Sequence, residues 1–182
     1  MTRIILTHGL ISGVVIILGM ISTIMMADQR GGHSPVWLGY LIMLVALSAI
    51  LVGVRQHRDQ ALGGVITFRT ALLMGLGIAT LASLVYVAVW EVYLAMTDYA
   101  FMTDYTAKIL AAKRAAGVTG AEYQALVAEM DKMRAQYTQP LYRFAMTFAE
   151  IFPVGLLVSL VSAALLRNPR FLPARTYVTS AS

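Results

Sequence analysis

Four long apolar runs alternate with polar segments along the chain. They extend over Ile4 to Ala27, Val36 to Val54, Ala71 to Val89 and Phe144 to Leu166. Each approaches the roughly 20 residues that a helix needs to cross the hydrocarbon core of a bilayer. The first run is also longer than the apolar core of a secretory signal peptide, which has about 7 to 15 residues. The pattern predicts an all-α membrane protein, one domain over residues 1–182, with transmembrane helices at about 4–27, 36–54, 69–93 and 141–166.

A polar insertion at about 98–139 separates the third and fourth apolar runs. Its helical pattern is interrupted at residues 117–120, which predicts a helical hairpin. Gly117 suits the C-terminal cap of the first hairpin helix. Thr119 and Glu122 match the S/T-x-x-E capping box that opens a helix.

The second helix of this hairpin carries one apolar stripe. Its members recur at helical spacing and are Tyr123, Leu126, Val127, Met130, Met133 and Tyr137. One interpretation is that the stripe packs on the first hairpin helix, with Ile109 and Leu110 opposite. The other interpretation is a methionine-bearing groove that binds a partner or a lipid.

Arginines are unevenly distributed between the two ends of the predicted membrane helices. The N-terminus, the second connection and the tail hold Arg3, Arg55, Arg58, Arg69, Arg167, Arg170 and Arg175, whereas the first connection holds only Arg30. Because Lys and Arg in short loops collect on the cytoplasmic side, we expect both termini in the cytoplasm and the hairpin outside it. Aromatic residues that favour the headgroup zone agree with this orientation, which places at the outer face Trp37, Tyr40, Trp90, Tyr93 and Tyr142.

Composition excludes several other classes of protein. With 59% hydrophobic and 13% charged residues in 182, the chain is too apolar for a soluble protein of several domains. The net charge of +5 does not indicate nucleic-acid binding, because no basic stripe with interleaved aromatics is present. The chain has no cysteine, and His8, His33 and His57 lie too far apart in the predicted topology to share a metal. We therefore expect no metal, no cofactor and no enzymatic activity.

Small residues four apart recur on three of the predicted membrane helices. They are Gly9 and Gly13 on the first, Gly75, Ala79 and Ser83 on the third, and Gly155, Ser159 and Ala163 on the fourth. Such faces let helix backbones approach closely in lipid. They predict packing within the bundle, and a homo-oligomer contact is the alternative.

Two acidic residues lie near the outer ends of the third and fourth predicted membrane helices. Glu91 continues the line of small residues on the third helix and is expected to face protein. Glu150 interrupts an apolar sequence, where an ionisable residue costs about 2.5 to 3.5 kcal/mol at the helix centre and usually faces the bundle interior. Pro153 leaves a carbonyl acceptor beside it without its helical donor and is expected to kink the helix.

Arg143 shares a helical face with Glu150. We therefore hypothesise a polar cluster of Glu91, Arg143 and Glu150 at the outer third of the bundle. Its simpler interpretation is an interfacial ion pair that sets helix register, and its functional interpretation is a proton relay.

Three sequence stretches resemble a known family: Gly63 to Phe68, Met130 to Met133, and Thr147 to Gly155, of which Glu150-Ile-Phe-Pro-Val-Gly155 is the most specific part. On these residues the chain resembles the domain of unknown function 4199 family of bacterial membrane proteins. The resemblance covers most of the chain, from the first helix to Arg167. It implies four membrane helices, a polar segment between the third and fourth, and a bacterial inner-membrane location. It implies no activity, substrate, cofactor or site residue.

Two functions fit these observations. A small bundle with an external hairpin is typical of an accessory or interaction protein, whose partners are the lipid bilayer and a membrane protein or a second copy of the chain. The alternative is a small transporter or channel that uses Glu150 and Glu91 near the outer membrane boundary.

Overall fold

A computed structural model describes residues 1–29 and 36–174 of the chain. Within these ranges all regular secondary structure is α-helical, with no strand. The helices are α1 (Thr2–Gln29), α2 (Val36–Leu47), α3 (Ala49–Ala61), α4 (Phe68–Met96), α5 (Phe101–Ala115), α6 (Gly120–Tyr137) and α7 (Pro140–Leu166).

Four segments of the described chain are long and apolar enough to cross a bilayer. They are Thr2–Thr23, Trp37–Ala61, Phe68–Met96 and Pro140–Leu166. The prediction of an all-helical protein with four candidate membrane-spanning helices is therefore confirmed, and the helices indicate a multi-pass membrane protein. Arg30 and His33 lie outside the described residues.

The second candidate span is longer than its apolar run. It contains α2 and α3, which are separated at Ser48, whose hydroxyl donates to the carbonyl of Val45 at 2.6 Å. Helix α3 continues past the predicted end at Val54 to Ala61, so Arg55, His57 and Arg58 are helical and do not lie in a connection. Apolarity marks the part of a helix suited to hydrocarbon, whereas backbone hydrogen bonds continue into the polar region.

Arg58 explains why the polar end of α3 is ordered. Its side chain is fully buried, and Nη1 and Nη2 donate to the carbonyls of Phe171 and Leu172 at 2.9 and 2.5 Å. Its Nε donates to Asp59 at 2.7 Å. The short polar tail after Pro169 predicts disorder from sequence alone. This expectation is wrong for Phe171 and Leu172, because their carbonyls accept the hydrogen bonds that the buried Arg58 guanidinium requires. Residues 175–182 lie outside the described residues.

Two compact units divide the described chain. The first comprises Met1–Tyr86 and the described residues from Glu150 onward, and the second comprises Val87–Ala149. The first unit contains α1, α2, α3 and the adjoining parts of α4 and α7, and the second contains the end of α4, the α5–α6 hairpin and the start of α7.

Small residues allow close helix contacts in the first unit. A Cβ placed on Gly155 of α7 would lie 2.7 Å from the Cβ of Ala79, and one on Gly75 would lie 2.9 Å from the Cβ of Ser159. Gly9 and Gly13 of α1 are similarly covered, by Leu81 and Val85. The small-residue faces thus serve close packing inside the chain, as van der Waals association in lipid requires.

The hairpin turn in the second unit is only partly as expected. Gly117 has a φ of +88°. The amides of Gly117 and Val118 donate to the main-chain carbonyls of Arg114 and Lys113 at 3.0 and 3.1 Å, and these hydrogen bonds close the end of α5. Thr119 occupies the N-cap of α6, yet its side chain makes no capping hydrogen bond. The hydroxyl half of the expected capping box is therefore not formed, and Gly120, the first residue of α6, has a φ of +63°, outside the right-handed helical region.

The apolar stripe of α6 packs on α5. The two helices contact each other, and Met130 and Tyr137 of the stripe are buried together with Met102 and Thr106 of α5. Arg134 Nε also donates to Thr106 Oγ1 at 2.5 Å across the contact. This arrangement favours the packing interpretation of the stripe over an open groove.

We predict that Arg58→Gln detaches the segment after α7. The variant loses two hydrogen bonds from a charged donor, each worth about 1.5 to 3 kcal/mol, so amide hydrogen exchange at Phe171 should rise roughly tenfold or more. Exchange of the purified protein in detergent, resolved by mass spectrometry, measures this rate. Arg55→Gln is the control, because Arg55 is partly exposed and pairs only with Asp59, at 3.4 Å. Equal exchange in both variants would contradict the anchoring role of Arg58.

Candidate functional site

Arg143 and Glu91 form a bidentate ion pair within the second unit. Arg143 Nε donates to Glu91 Oε1 and Nη2 donates to Oε2, each at 2.7 Å. Their side chains are only 6% and 18% exposed. The planar guanidinium matches the two carboxylate oxygens, which is the strongest geometry available to such a pair.

The same guanidinium also binds the end of α6. Arg143 Nη1 donates to the carbonyls of Tyr137 and Thr138 at 3.0 and 3.3 Å. The last carbonyls of a helix have no internal partner and carry partial negative charge, so a cation there is favourable. Arg143 therefore joins the end of α4, the end of α6 and the start of α7 through one side chain.

Aromatic rings enclose the ion pair. The centroids of the Tyr99 and Tyr137 rings lie 4.9 and 5.9 Å from Arg143 Cζ, which is cation–π distance. Trp90 Nε1 donates to the hydroxyl of Tyr137 at 2.9 Å. Phe101 meets the Trp90 ring edge to face, with centroids 4.8 Å apart. Trp90 is buried in this cluster. The sequence pattern had suggested that its ring lies in the headgroup zone of the membrane.

A strained turn places Tyr99 against Arg143. Asp98 and Tyr99 have φ values of 50° and 56°, in the left-handed region that non-glycine residues rarely adopt. The amide of Tyr99 donates to the carbonyl of Leu94 at 2.8 Å, which closes the end of α4. Such strain costs on the order of 1 to 3 kcal/mol per residue and persists only where surrounding contacts hold it. The contact of Tyr99 with Arg143 is one of them.

Glu150 and Pro153 take no part in this cluster. Glu150 is exposed and makes no hydrogen bond or ion pair with any described residue, although Arg143 and Thr147 on the same helical phase are buried. Shared phase on a helix does not impose shared burial, because different neighbours cover successive turns. Pro153 is accommodated inside α7, which continues to Leu166. The observed ionic cluster therefore consists of Glu91 and Arg143.

Sequence reasoning identified the two charged members but did not connect them with the aromatic ones. Tyr137 appeared only as the last member of the α6 stripe, and Tyr99 had no signal, since its position depends on two left-handed residues. The one available clue to the C-cap role of Arg143 is that it follows Tyr137 and Thr138 by one to two helical turns, with Pro140 between them.

A cavity of about 440 Å³ opens beside the ion pair, inside the second unit. Two arginines, Arg134 and Arg143, contribute to its wall. The rest of its lining comes from Tyr99, Met102, Thr103, Tyr137, Thr138 and Pro140. No acidic residue belongs to this set.

The histidines and acids do not form a metal centre in the described part of the chain. No group of three His, Cys, Asp or Glu residues lies close enough to hold an ion there. His8 Nδ1 lies 3.0 Å from the carbonyl of Ile4, and its ring carbon Cγ lies 3.0 Å from the position that a Cβ on Gly53 would take. His57 is buried, and its Nδ1 lacks a hydrogen-bond partner among the described atoms.

We predict that Arg143→Leu lowers the free energy of unfolding by about 3 to 5 kcal/mol, because it leaves the Glu91 carboxylate and the α6 carbonyls without a donor. The double variant with Glu91→Leu should recover part of this loss. Asp131→Asn is the control: it breaks an exposed pair with Arg134, worth less than about 1 kcal/mol. Equilibrium unfolding in detergent micelles, with Glu91→Leu alone to complete the cycle, gives all four values. If the loss of unfolding free energy in the double variant equalled the sum of the losses in the two single variants, coupling between Glu91 and Arg143 would be refuted.

Comparison with known proteins adds the family. A family model described as protein of unknown function (DUF4199) matches residues 7–168. No curated protein and no solved structure matches the chain. Since the matched region includes most of the first candidate span, all of the other three and the hairpin, the chain belongs to the DUF4199 family of proteins of unknown function.

Proposed function

We propose that this protein is an accessory or interaction protein of the bacterial inner membrane, and that its α5–α6 hairpin is the element that binds a membrane-protein partner. The observation that carries the proposal is the Arg143 side chain. It joins three chain segments at the base of the hairpin, through Glu91 and the carbonyls that follow α6. A base held in this way presents the hairpin tip in one orientation, which lowers the entropic cost of binding.

The tip itself has the character of a contact surface. Residues 111–117 are all exposed, and Lys113 and Arg114 project from the last turn of α5. Glu122 lies in the first turn of α6, so both signs of charge are present. Mixed charge favours recognition of a complementary protein surface over general attraction to anionic lipid.

The distribution of arginines supports an extracytoplasmic hairpin and cytoplasmic termini. Arg3 lies in the first turn of the first candidate span, Arg69 lies in the first turn of α4, and Arg167 follows α7. Under the positive-inside rule these ends face the cytoplasm, so the connection between the third and fourth spans faces outward.

A transport function has less support. Buried hydroxyls of the first unit donate to main-chain carbonyls: Ser12 to Ala46, Ser83 to Ala79 and Ser159 to Gly155, at 2.7 to 3.0 Å. Both oxygens of Glu91 accept hydrogen bonds from Arg143. Groups bound in this manner do not form a chain of free polar sites for a solute or a proton.

We predict that a single cysteine at Ala116 reacts with a membrane-impermeant maleimide added outside intact spheroplasts. The natural chain lacks cysteine, so the label reports one site without background. Gln60→Cys, at the exposed end of α3, should react only after the membrane is permeabilised. The reverse pattern would place the hairpin in the cytoplasm and overturn the proposed orientation.

We further predict that a photoreactive amino acid at Ala115 on the hairpin tip forms a discrete adduct with another protein in native membranes. Leu157, a similarly exposed position in the apolar part of α7, is the control and should yield lipid adducts only. Mass spectrometry of the adduct identifies the partner. Adducts with a second copy alone would indicate a homo-oligomer, and the lack of any protein adduct at Ala115 would contradict an interaction role for the hairpin.

A further inference from the structure

We propose that the cavity beside Arg143 binds the phosphate ester of an anionic headgroup, carried by a membrane lipid or by a soluble phosphorylated compound. The site lies wholly within the second unit, between the turn that follows α4, the end of α6 and the start of α7. This inference is independent of the partner proposed for the hairpin tip, because it concerns the base of the hairpin and a small ligand.

The arginines retain donors for such a ligand. A guanidinium has five N–H groups. Arg143 uses at most four of them, two on Glu91 and two on the carbonyls of Tyr137 and Thr138, which leaves one on Nη2. Arg134 uses Nε on Thr106 and one N–H on Asp131, and its Nη2 has no partner among the described residues. Two guanidinium groups with spare N–H groups at one cavity match the oxygens of a phosphate.

The charge around the cavity is favourable to an anion. None of its lining residues is acidic. Glu91 neutralises Arg143 from outside the lining, whereas Asp131, the partner of Arg134, is 60% exposed. An ion pair with so exposed a carboxylate is weak and screened, so Arg134 keeps most of its attraction for a ligand.

The dimensions and depth of the cavity also suit a headgroup. Its volume of about 440 Å³ lies within the range of small-molecule sites. Tyr99, Met102 and Pro140 give it an apolar side that can cover glycerol carbons. Pro140 begins one candidate span and Met96 ends another, so the second unit contains the ends of two membrane helices. The ends of membrane helices lie at the level of the lipid headgroups, so an anionic headgroup can reach a basic pocket there.

The test is native mass spectrometry of the full chain in detergent, with phosphatidylglycerol as the anionic probe and phosphatidylcholine as the zwitterionic one. We expect phosphatidylglycerol to be retained at least tenfold better. Arg134→Gln should reduce that retention roughly tenfold, because it removes charge-assisted hydrogen bonds. Lys132→Gln is the matched control, since it removes one positive charge from the same helix at an exposed position outside the cavity, and it should change retention less than twofold.

A second variant tests the cavity without changing any charge. Thr103 is exposed and lines the cavity, so Thr103→Phe should fill the space and reduce retention as well. This variant tests the site if Arg134→Gln does not fold.

Displacement of the lipid by millimolar glycerol 3-phosphate would assign the site to a soluble phosphorylated compound, and persistence of the lipid would assign it to the membrane. Equal retention of both lipids without binding of glycerol 3-phosphate, or equal losses in Arg134→Gln and Lys132→Gln, would overturn the proposal.

Discussion

The structure around the hairpin depends on one desolvated guanidinium. Arg143 cannot lose its charge, and with only a twentieth of its surface exposed it must find its acceptors within the protein. It finds them on Glu91 of α4 and on the last carbonyls of α6, while Tyr99 covers its face. Because these acceptors come from different segments, satisfying one side chain fixes the directions in which the chain leaves α4 and returns into α7.

The helical framework follows from patterns that are local in the sequence. Long apolar runs predict the candidate spans, and Gly117 marks the turn of the hairpin because only a residue tolerant of positive φ closes α5 there. Two features were not predictable in this way. The end of α3 depends on Arg58, whose acceptors lie more than a hundred residues away. The missing cap hydrogen bond at Thr119 accompanies a positive φ at Gly120, which the S/T-x-x-E pattern does not encode.

The candidate site was predictable only in its charges. Carboxylates and arginines in apolar surroundings must find partners, so Glu91, Arg143 and Glu150 attracted attention from sequence. The choice of partners among these three residues depends on which turns of α7 are buried. Sequence periodicity does not give this information. The aromatic members and the cavity are less accessible still, because the position of Tyr99 arises from a turn that no propensity scale favours.

The contact of Arg58 with Phe171 has a consequence for biosynthesis. The donor is made 113 residues before its acceptor, which corresponds to roughly 6 to 23 s of translation at about 5 to 20 residues per second. Throughout that interval the arginine has to stay hydrated or bind another acceptor, so the part of α3 around Arg58 cannot reach its final packing while α7 is being made. Completion of the first unit is thereby tied to synthesis of Phe171 and Leu172, and a nascent polypeptide that has not reached them leaves two groups of the Arg58 guanidinium without their acceptors.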